Sequence, residues 1–273
     1  MNKNELPYLR KLATKSAVVF FMLLLTSCGP SRDTTKDTLP STEKKAITST
    51  IKILSVNSLH SLSDKTEVKH FASWLKKTGA EVIAVQQIER PTETKPGFDA
   101  VKELAKQLEM YEYFGKSRYF QGFDSGNSLF SLYPIKQSNT FQLPVGKGKV
   151  RRSVAYGAID LGLRMVGFGS TELDDQLSSE RGAQVDEIYS FSKTLSDYPL
   201  VVCGMFYESS TGKAATKMAE HFSLANNLSA VTSKMEQHLY TVSPSKIKPI
   251  AVERLPMDAF KTEAVLVTLE ISE

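Results

Sequence analysis

Cysteine is scarce: two residues in a chain of 273, Cys28 and Cys203. Cys28 ends an N-terminal apolar stretch. Cys203 lies in Leu200-Val201-Val202-Cys203-Gly204, where it reads as a small core hydrophobe rather than a nucleophile. The four histidines, His60, His70, His221 and His238, show no metal-binding spacing with one another or with a cysteine. Of these, His70 and His221 fall in expected helices, at surface or boundary positions. No nucleophile-elbow pattern supports Ser-His-Asp catalysis. Charge of one sign is also lacking. The formal net charge is +4, but Lys3, Arg10, Lys11 and Lys15 against Glu5 place +3 of it before residue 28, leaving about +1 for the rest. Net charge therefore gives no support to nucleic-acid binding. The apolar core of the first segment, Ala17 to Leu25, is nine residues long. That is too short to span a bilayer core of about 30 Å as a helix. No internal repeat is visible.

The first 27 residues instead read as an export signal, with a basic start and a short apolar core. Leu25-Thr26-Ser27-Cys28 resembles a bacterial lipoprotein box, in which the cysteine takes lipid on sulfur and becomes the new N-terminus. The alternative is an ordinary signal peptide with an incidental Cys. With Cys28 lipidated, Cys203 is the sole remaining thiol and no intramolecular disulfide can form. Residues 28–50, rich in Ser, Thr, Lys, Asp and Pro, read as a flexible tether. The expectation is an exported protein of the bacterial cell envelope, held to a membrane by lipid, with one folded domain over 51–273.

That domain opens with an alternating-to-apolar strand, Ile51 to Asn57. A helix follows, capped by Ser63 or Asp64, apolar at Val68, Phe71, Trp74 and Leu75, and stopped by Gly79. A buried strand runs from Glu81 to Ile88, and a helix from about Phe98 to Met110. Strands are then expected at Tyr111–Phe114, Asn127–Leu132, Thr140–Leu143, Ser153–Asp160 and Met165–Ser170. A helix beginning near Leu177–Glu180 runs to about Leu195. The strand Leu200–Cys203 is apolar throughout, as a strand covered on both faces should be. A helix from about Gly212 to Asn226 and strands at His238–Val242, Ile247–Val252 and Ala264–Ile271 complete the chain. The order calls for an α/β domain with two packed sheets and helices outside.

Asn57 at the end of the first strand, Gln86-Gln87 at the end of the second, Gly126 to Ile135, Thr171-Glu172-Leu173-Asp174, Arg181 to Gln184, Gly204-Met205-Phe206-Tyr207 and Lys261-Thr262-Glu263, taken together in that order, resemble the endonuclease/exonuclease/phosphatase superfamily. Asn57 ends the first strand, where the family has an Asn, and Gln86-Gln87 end the second, where it has Gln-Glu. Gly126 to Ile135 (GNSLFSLYPI) resembles the family's Gly-Asn-Ala-Ile-Leu-Ser-Arg-Tyr-Pro-Ile. Thr171-Glu172-Leu173-Asp174 resembles Thr-His-Leu-Asp, and Arg181 to Gln184 resembles Arg-x-x-Gln. Gly204-Met205-Phe206-Tyr207 stands at Gly-Asp-Phe-Asn, and Lys261-Thr262-Glu263 at Ser-Asp-His. The resemblance implies a DNase I-like four-layer sandwich, two mixed sheets flanked by helices. It also implies metal-assisted phosphoester hydrolysis: a Glu holding Mg²⁺, an Asp orienting water, and a His as general base or acid.

Most positions of that chemistry are substituted. Gln87 replaces the metal carboxylate, Met205 the water-orienting Asp, Tyr207 the Asn, and Thr262 the Asp beside the base. Glu172 and Glu263 replace the two His. Two carboxylates facing a phosphate would each repel it by roughly 4 kcal/mol at about 4 Å. The family's Asp-Tyr segment is not evident around Gln237-His238-Leu239-Tyr240. Asn57 and Gln86 are either leftover site residues or hydrogen-bonded loop anchors. Glu172, Asp174 and Glu263 either form a rewired cation site or are solvated carboxylates. Lys147, Lys149, Arg151 and Arg152 either meet an anion or lipid head groups or form a solvated loop. The expectation is a non-catalytic binding or scaffold protein with no cofactor. The alternative is a phosphoesterase with rearranged ligands, using Mg²⁺ or Mn²⁺ through residues such as Glu172 and Glu263.

Overall fold

Neighbouring residues of the central strands face different cores, which is why those strands are apolar at nearly every position. A computed structural model describes residues 48–147, 150–162, 164–195, 198–228, 237–242, 246–257 and 262–272. Twelve strands are described: β1 (Thr48–Asn57), β2 (Val82–Arg90), β3 (Tyr111–Phe120), β4 (Phe123–Ser131), β5 (Ile135–Gln142), β6 (Ser153–Asp160), β7 (Met165–Glu172), β8 (Leu200–Met205), β9 (Ser223–Leu224), β10 (Gln237–Val242), β11 (Ile247–Met257) and β12 (Thr262–Ser272). The helices are α1 (Lys65–Thr78), α2 (Ala100–Leu108), α3 (Ser178–Thr194) and α4 (Lys213–Ala219).

The strands form two six-stranded mixed sheets, ordered β11-β12-β1-β2-β4-β3 and β5-β6-β7-β8-β10-β9. Ile53, Ala84, Leu129, Val201, Cys203, Leu239 and Val267 pack together between them. Leu54, Val56, Ile83, Val85 and Phe130 turn the other way and meet Val68, Phe71 and Leu75 of α1 and Val101 and Leu104 of α2. On the far side, Val154, Tyr156, Val202 and Phe206 meet Val185 and Ile188 of α3 and Met218 of α4. This is the expected four-layer α/β sandwich, a DNase I-like arrangement.

Local chemistry fixes the ends of α1 as anticipated. The Asp64 carboxylate accepts from the N–H groups of Thr66 and Glu67, and Gly79 closes the helix in the left-handed conformation. Other boundaries differ. The helix expected to reach Asn226 ends at Ala219. His221 and Phe222 N–H both turn back to Met218 O, and a two-residue strand and a 3₁₀ turn follow. His221 therefore lies beyond the helix, stacked on Tyr189. The strands expected to begin at Asn127 and to end at Phe114, Ser170 and Val252 are all longer, because ladder pairing continues past their apolar cores. β1 begins at Thr48, inside the expected tether, with Thr48 to Thr50 paired to Ser272 to Glu270. The expected leader (1–27), the lipid-accepting Cys28 and the tether up to residue 47 lie outside the described residues. Among the described residues, no helix is long and apolar enough to cross a membrane.

Candidate functional site

Each sheet has one parallel pair near its centre, β1 with β2 and β7 with β8. The carboxyl ends of parallel strands are where α/β folds leave a crevice for ligands. Here the two pairs end side by side. Gln86, where the parallel pairing of β2 with β1 ends, reaches across the sandwich to Ser170 of β7, Nε2 to Oγ, at 3.1 Å. The next residue, Gln87, sits in a bulge with φ +54, between the paired stretches Val82–Val85 and Ile88–Arg90. A bulge redirects a side chain out of the alternation, and this one brings Gln87 onto Glu172.

Glu172, only 5% exposed, is the centre of the site. Its Oε1 accepts from Gln87 Nε2 at 2.6 Å and from the Tyr207 hydroxyl. Its Oε2 pairs with Arg152, whose other terminal nitrogen donates to Asp175 Oδ1 at 3.1 Å. Arg152 is 2% exposed. Burial is the largest single effect and opposes its charge, but Glu172, Tyr207 and Asp175 together outweigh it and the guanidinium is held more firmly protonated than usual. Burial and the Glu172 carboxylate push the Tyr207 phenol far above its ordinary range, so it is a donor here. For Asp175, burial would raise the carboxyl pKa. The hydrogen bond from Gln176 and the Arg152 charge overcome it and hold the group below the usual range. Tyr207 has φ +54, a left-handed conformation unusual for a bulky side chain.

The other positions singled out by the sequence divide into two groups. Asn57 is fully buried at the end of β1, where its Oδ1 accepts from Leu59 N–H at 2.8 Å and its Nδ2 has no hydrogen-bond partner among the described residues. Met205 is fully buried, and its carbonyl receives Leu173 N–H at 3.0 Å. Asp174 receives the N–H groups of Gln176 and Leu177 on Oδ1, at the entry to α3. Arg181 pairs with Glu208 at 3.1 Å, and Gln184 Oε1 receives Asp174 N–H at 2.8 Å. These groups tie the sheet edge to α3. Thr262 and Glu263 open β12 opposite Met257 and Pro256. Glu263 is exposed, and no hydrogen bond or ion pair joins it to Glu172 among the described residues. In place of the family's Asp-Tyr segment, Gln237 Oε1 accepts from Ser55 at 2.8 Å. The buried His238 donates through Nε2 to the Glu208 carbonyl at 2.8 Å, which leaves Nδ1 facing the Tyr240 hydroxyl. Cys203 is buried and its thiol pushed up to about 12, an inert packing residue.

Two sequence expectations change. Arg152 does not belong to a solvated loop: it ends an extended approach to β6 and is buried against Glu172. The expected repelling pair of carboxylates changes too, because Glu172 is paired internally with Arg152, while Glu263 is exposed at the start of β12. Instead a cleft of about 590 Å³ opens beside the cluster, lined by Gln87, Arg118, Tyr119, Phe120, Arg151, Arg152 and Asp175, with Val150. Arg118, Phe120, Asp175 and nearby His60 were not marked by sequence, since no pattern joins the end of β3 to the approach to β6. Arg118 lies over the Phe120 ring at 5.1 Å, and His60 stacks on the same ring at 4.9 Å. Burial lowers the His60 pKa, which disfavours the charged imidazole, and its Nδ1 lies 3.0 Å from Glu89.

The divalent cation implied by the resemblance does not fit these residues. A hard cation needs free carboxylate oxygen. Gln87 offers an uncharged amide, and both oxygens of Glu172 are already engaged by protein donors. Arg152 would repel a second cation at about 4 Å by ~4 kcal/mol per unit of charge. Among the described residues, no three His, Cys, Asp or Glu side chains gather as a metal site.

No protein-family profile and no curated protein sequence matches the chain. Solved structures do. An endonuclease/exonuclease/phosphatase from Beutenbergia cavernae superposes with a TM-score of 0.67 at 15% identity, covering 81% of this chain and 72% of that one. The human Nocturnin catalytic domain, solved with a bound sulfate anion, gives 0.65 at 12% identity, covering 84% and 97%. A mannosyl-6-phosphatase from Bacteroides thetaiotaomicron gives 0.61 at 12% identity, covering 80% and 99%. At such identities the likeness is one of fold.

Proposed function

We propose that this chain is a lipid-anchored envelope protein in which an endonuclease/exonuclease/phosphatase-type domain has given up metal-dependent hydrolysis and serves as a binding or scaffold module. The observation that carries the reading is the buried Arg152–Glu172 pair. A guanidinium fixed against the central carboxylate, with Gln87 and Tyr207 on the same carboxylate, puts a protein cation where a hydrolase of this fold would need an exchangeable one. Met205, apolar and fully buried at the end of β8, leaves no carboxylate there to orient water. Membrane attachment through Cys28 belongs to the same reading, and nucleic acid is not an expected partner.

The test is turnover. The full chain, purified in neutral detergent, is assayed with Mg²⁺ or Mn²⁺ on a generic phosphodiester and a phosphomonoester. No turnover above the chain-free control is expected, and no heat on titration with either cation. Metal-dependent turnover abolished by Glu172→Ala or Glu263→Ala would replace this reading with that of a phosphoesterase using rearranged ligands.

A further inference from the structure

The cleft beside Glu172 is unusual in the sign of its charged wall. Four charged side chains line it, three guanidiniums and one carboxylate. The carboxylate, Asp175, is bonded to Arg152, which Glu172 also neutralises from behind. Arg118 and Arg151 have no carboxylate within ion-pair distance among the described residues, although Glu89 lies within electrostatic reach of Arg118. Arg118 is half-buried, its Nε enclosed without a hydrogen-bond partner among the described residues. Like charge from Arg152, after burial itself, lowers the Arg118 pKa. Glu172 and Asp175 act on Arg118 from a distance, but no carboxylate pairs with it directly among the described residues, and two cations so close gain from an anion placed between them. Guanidinium groups also match the planar spread of oxygens on a phosphate.

A second feature points to what the anion is attached to. Tyr119, 60% exposed, stands at the lip of the same cleft, next to Arg118 on the strand. An exposed aromatic face beside an oxyanion site suits the body of a ligand whose head is charged. Space is sufficient: about 590 Å³ lies in the range of small-molecule sites.

We infer that this cleft binds a phosphate monoester of a sugar or of glycerol without a metal ion, its phosphate on Arg118 and Arg151 with Arg152 behind, and its body against Tyr119. The inference rests on the non-hydrolytic reading above, because the same Arg152 that closes the metal position supplies the back wall. Soluble phosphosugars and the head group of phosphatidic acid share this chemistry.

Melting curves of the full chain in neutral detergent, in EDTA, separate the sources. The probes are inorganic phosphate, glucose 6-phosphate and a short-chain phosphatidic acid. Saturable stabilisation is expected from glucose 6-phosphate or from the lipid, and whichever stabilises identifies the source. Arg118→Gln and Arg151→Gln, each removing a cation without a paired carboxylate, should weaken that probe about tenfold. Tyr119→Ala should weaken the ester and leave inorganic phosphate unchanged. No stabilisation by any probe, with or without Mg²⁺, overturns the inference and leaves the non-hydrolytic reading standing. Unchanged affinity in both Arg variants also overturns it. Binding seen only with Mg²⁺ overturns it, and if turnover accompanies that binding, the proposed function falls as well.

Discussion

Arg152 has two nearby carboxylates, and they are not equivalent. Glu172 is buried with it, whereas Asp175 is 38% exposed in its side chain and solvated. Replacing Glu172 by Gln would leave a buried guanidinium facing an amide, with water screening its remaining partner. Breaking one side of a buried pair typically costs about 3–5 kcal/mol. Glu172→Gln is therefore expected to lower stability by ~3 kcal/mol, the low end because Asp175 stays, as read from urea denaturation. Removing both charges with similar volume, Arg152→Met with Glu172→Leu, should recover most of that loss. If the double variant is no more stable than Glu172→Gln alone, the pair is not what organises the site. The substitutions Gln87, Glu172, Met205 and Tyr207 were legible in sequence as departures from a pattern, and the structure brings Gln87, Glu172 and Tyr207 into one cluster. What occupies the position was not legible, because Arg152 is 20 residues from Glu172 in sequence and belongs to no motif with it.

At the scale of elements, the site depends on how closely β7 and β8 approach. Gly204 has φ +150, and a Cβ there would lie 1.7 Å from the Thr171 carbonyl oxygen. No rotamer adjustment relieves a clash with backbone. Gly204→Ala should therefore break the parallel ladder that sets Glu172 opposite Met205, with a loss above about 3 kcal/mol or no soluble protein. Gly182→Ala in α3, where an added Cβ meets nothing within 4 Å, is the control and should be neutral or mildly stabilising. Soluble yield and near-ultraviolet circular dichroism would distinguish the two, and a normally folded Gly204→Ala would contradict the packing described. Central strands and the ends of α1 were readable because burial on both faces and capping both write themselves locally. Strand extensions were not, since the outer halves of β3, β5 and β11 are polar and held by their neighbours' backbone. The short α4 was overestimated because Phe222 continues its apolar spacing and is buried after the helix has ended.

For the whole molecule, the described ladder starts at Thr48, on the opposite end of β1 from Asn57 and the site. A lipid on Cys28 would lie 20 residues ahead of that strand in the sequence. Cys28→Ser is expected to abolish palmitate labelling and release the chain from the membrane fraction of a bacterial host. Retained labelling would refute the anchor. The melting temperature of the detergent-purified chain should be unchanged by the substitution.

The Arg152–Glu172 pair carries one consequence for the chain in service. A bound metal ion comes and goes with its supply, and a protein relying on one loses that support when scavengers compete for it. A side-chain cation is attached by covalent bonds and is present at unit occupancy in every copy that folds. The centre of this domain should therefore be indifferent to chelators and to metal starvation alike, with its geometry set once, at synthesis.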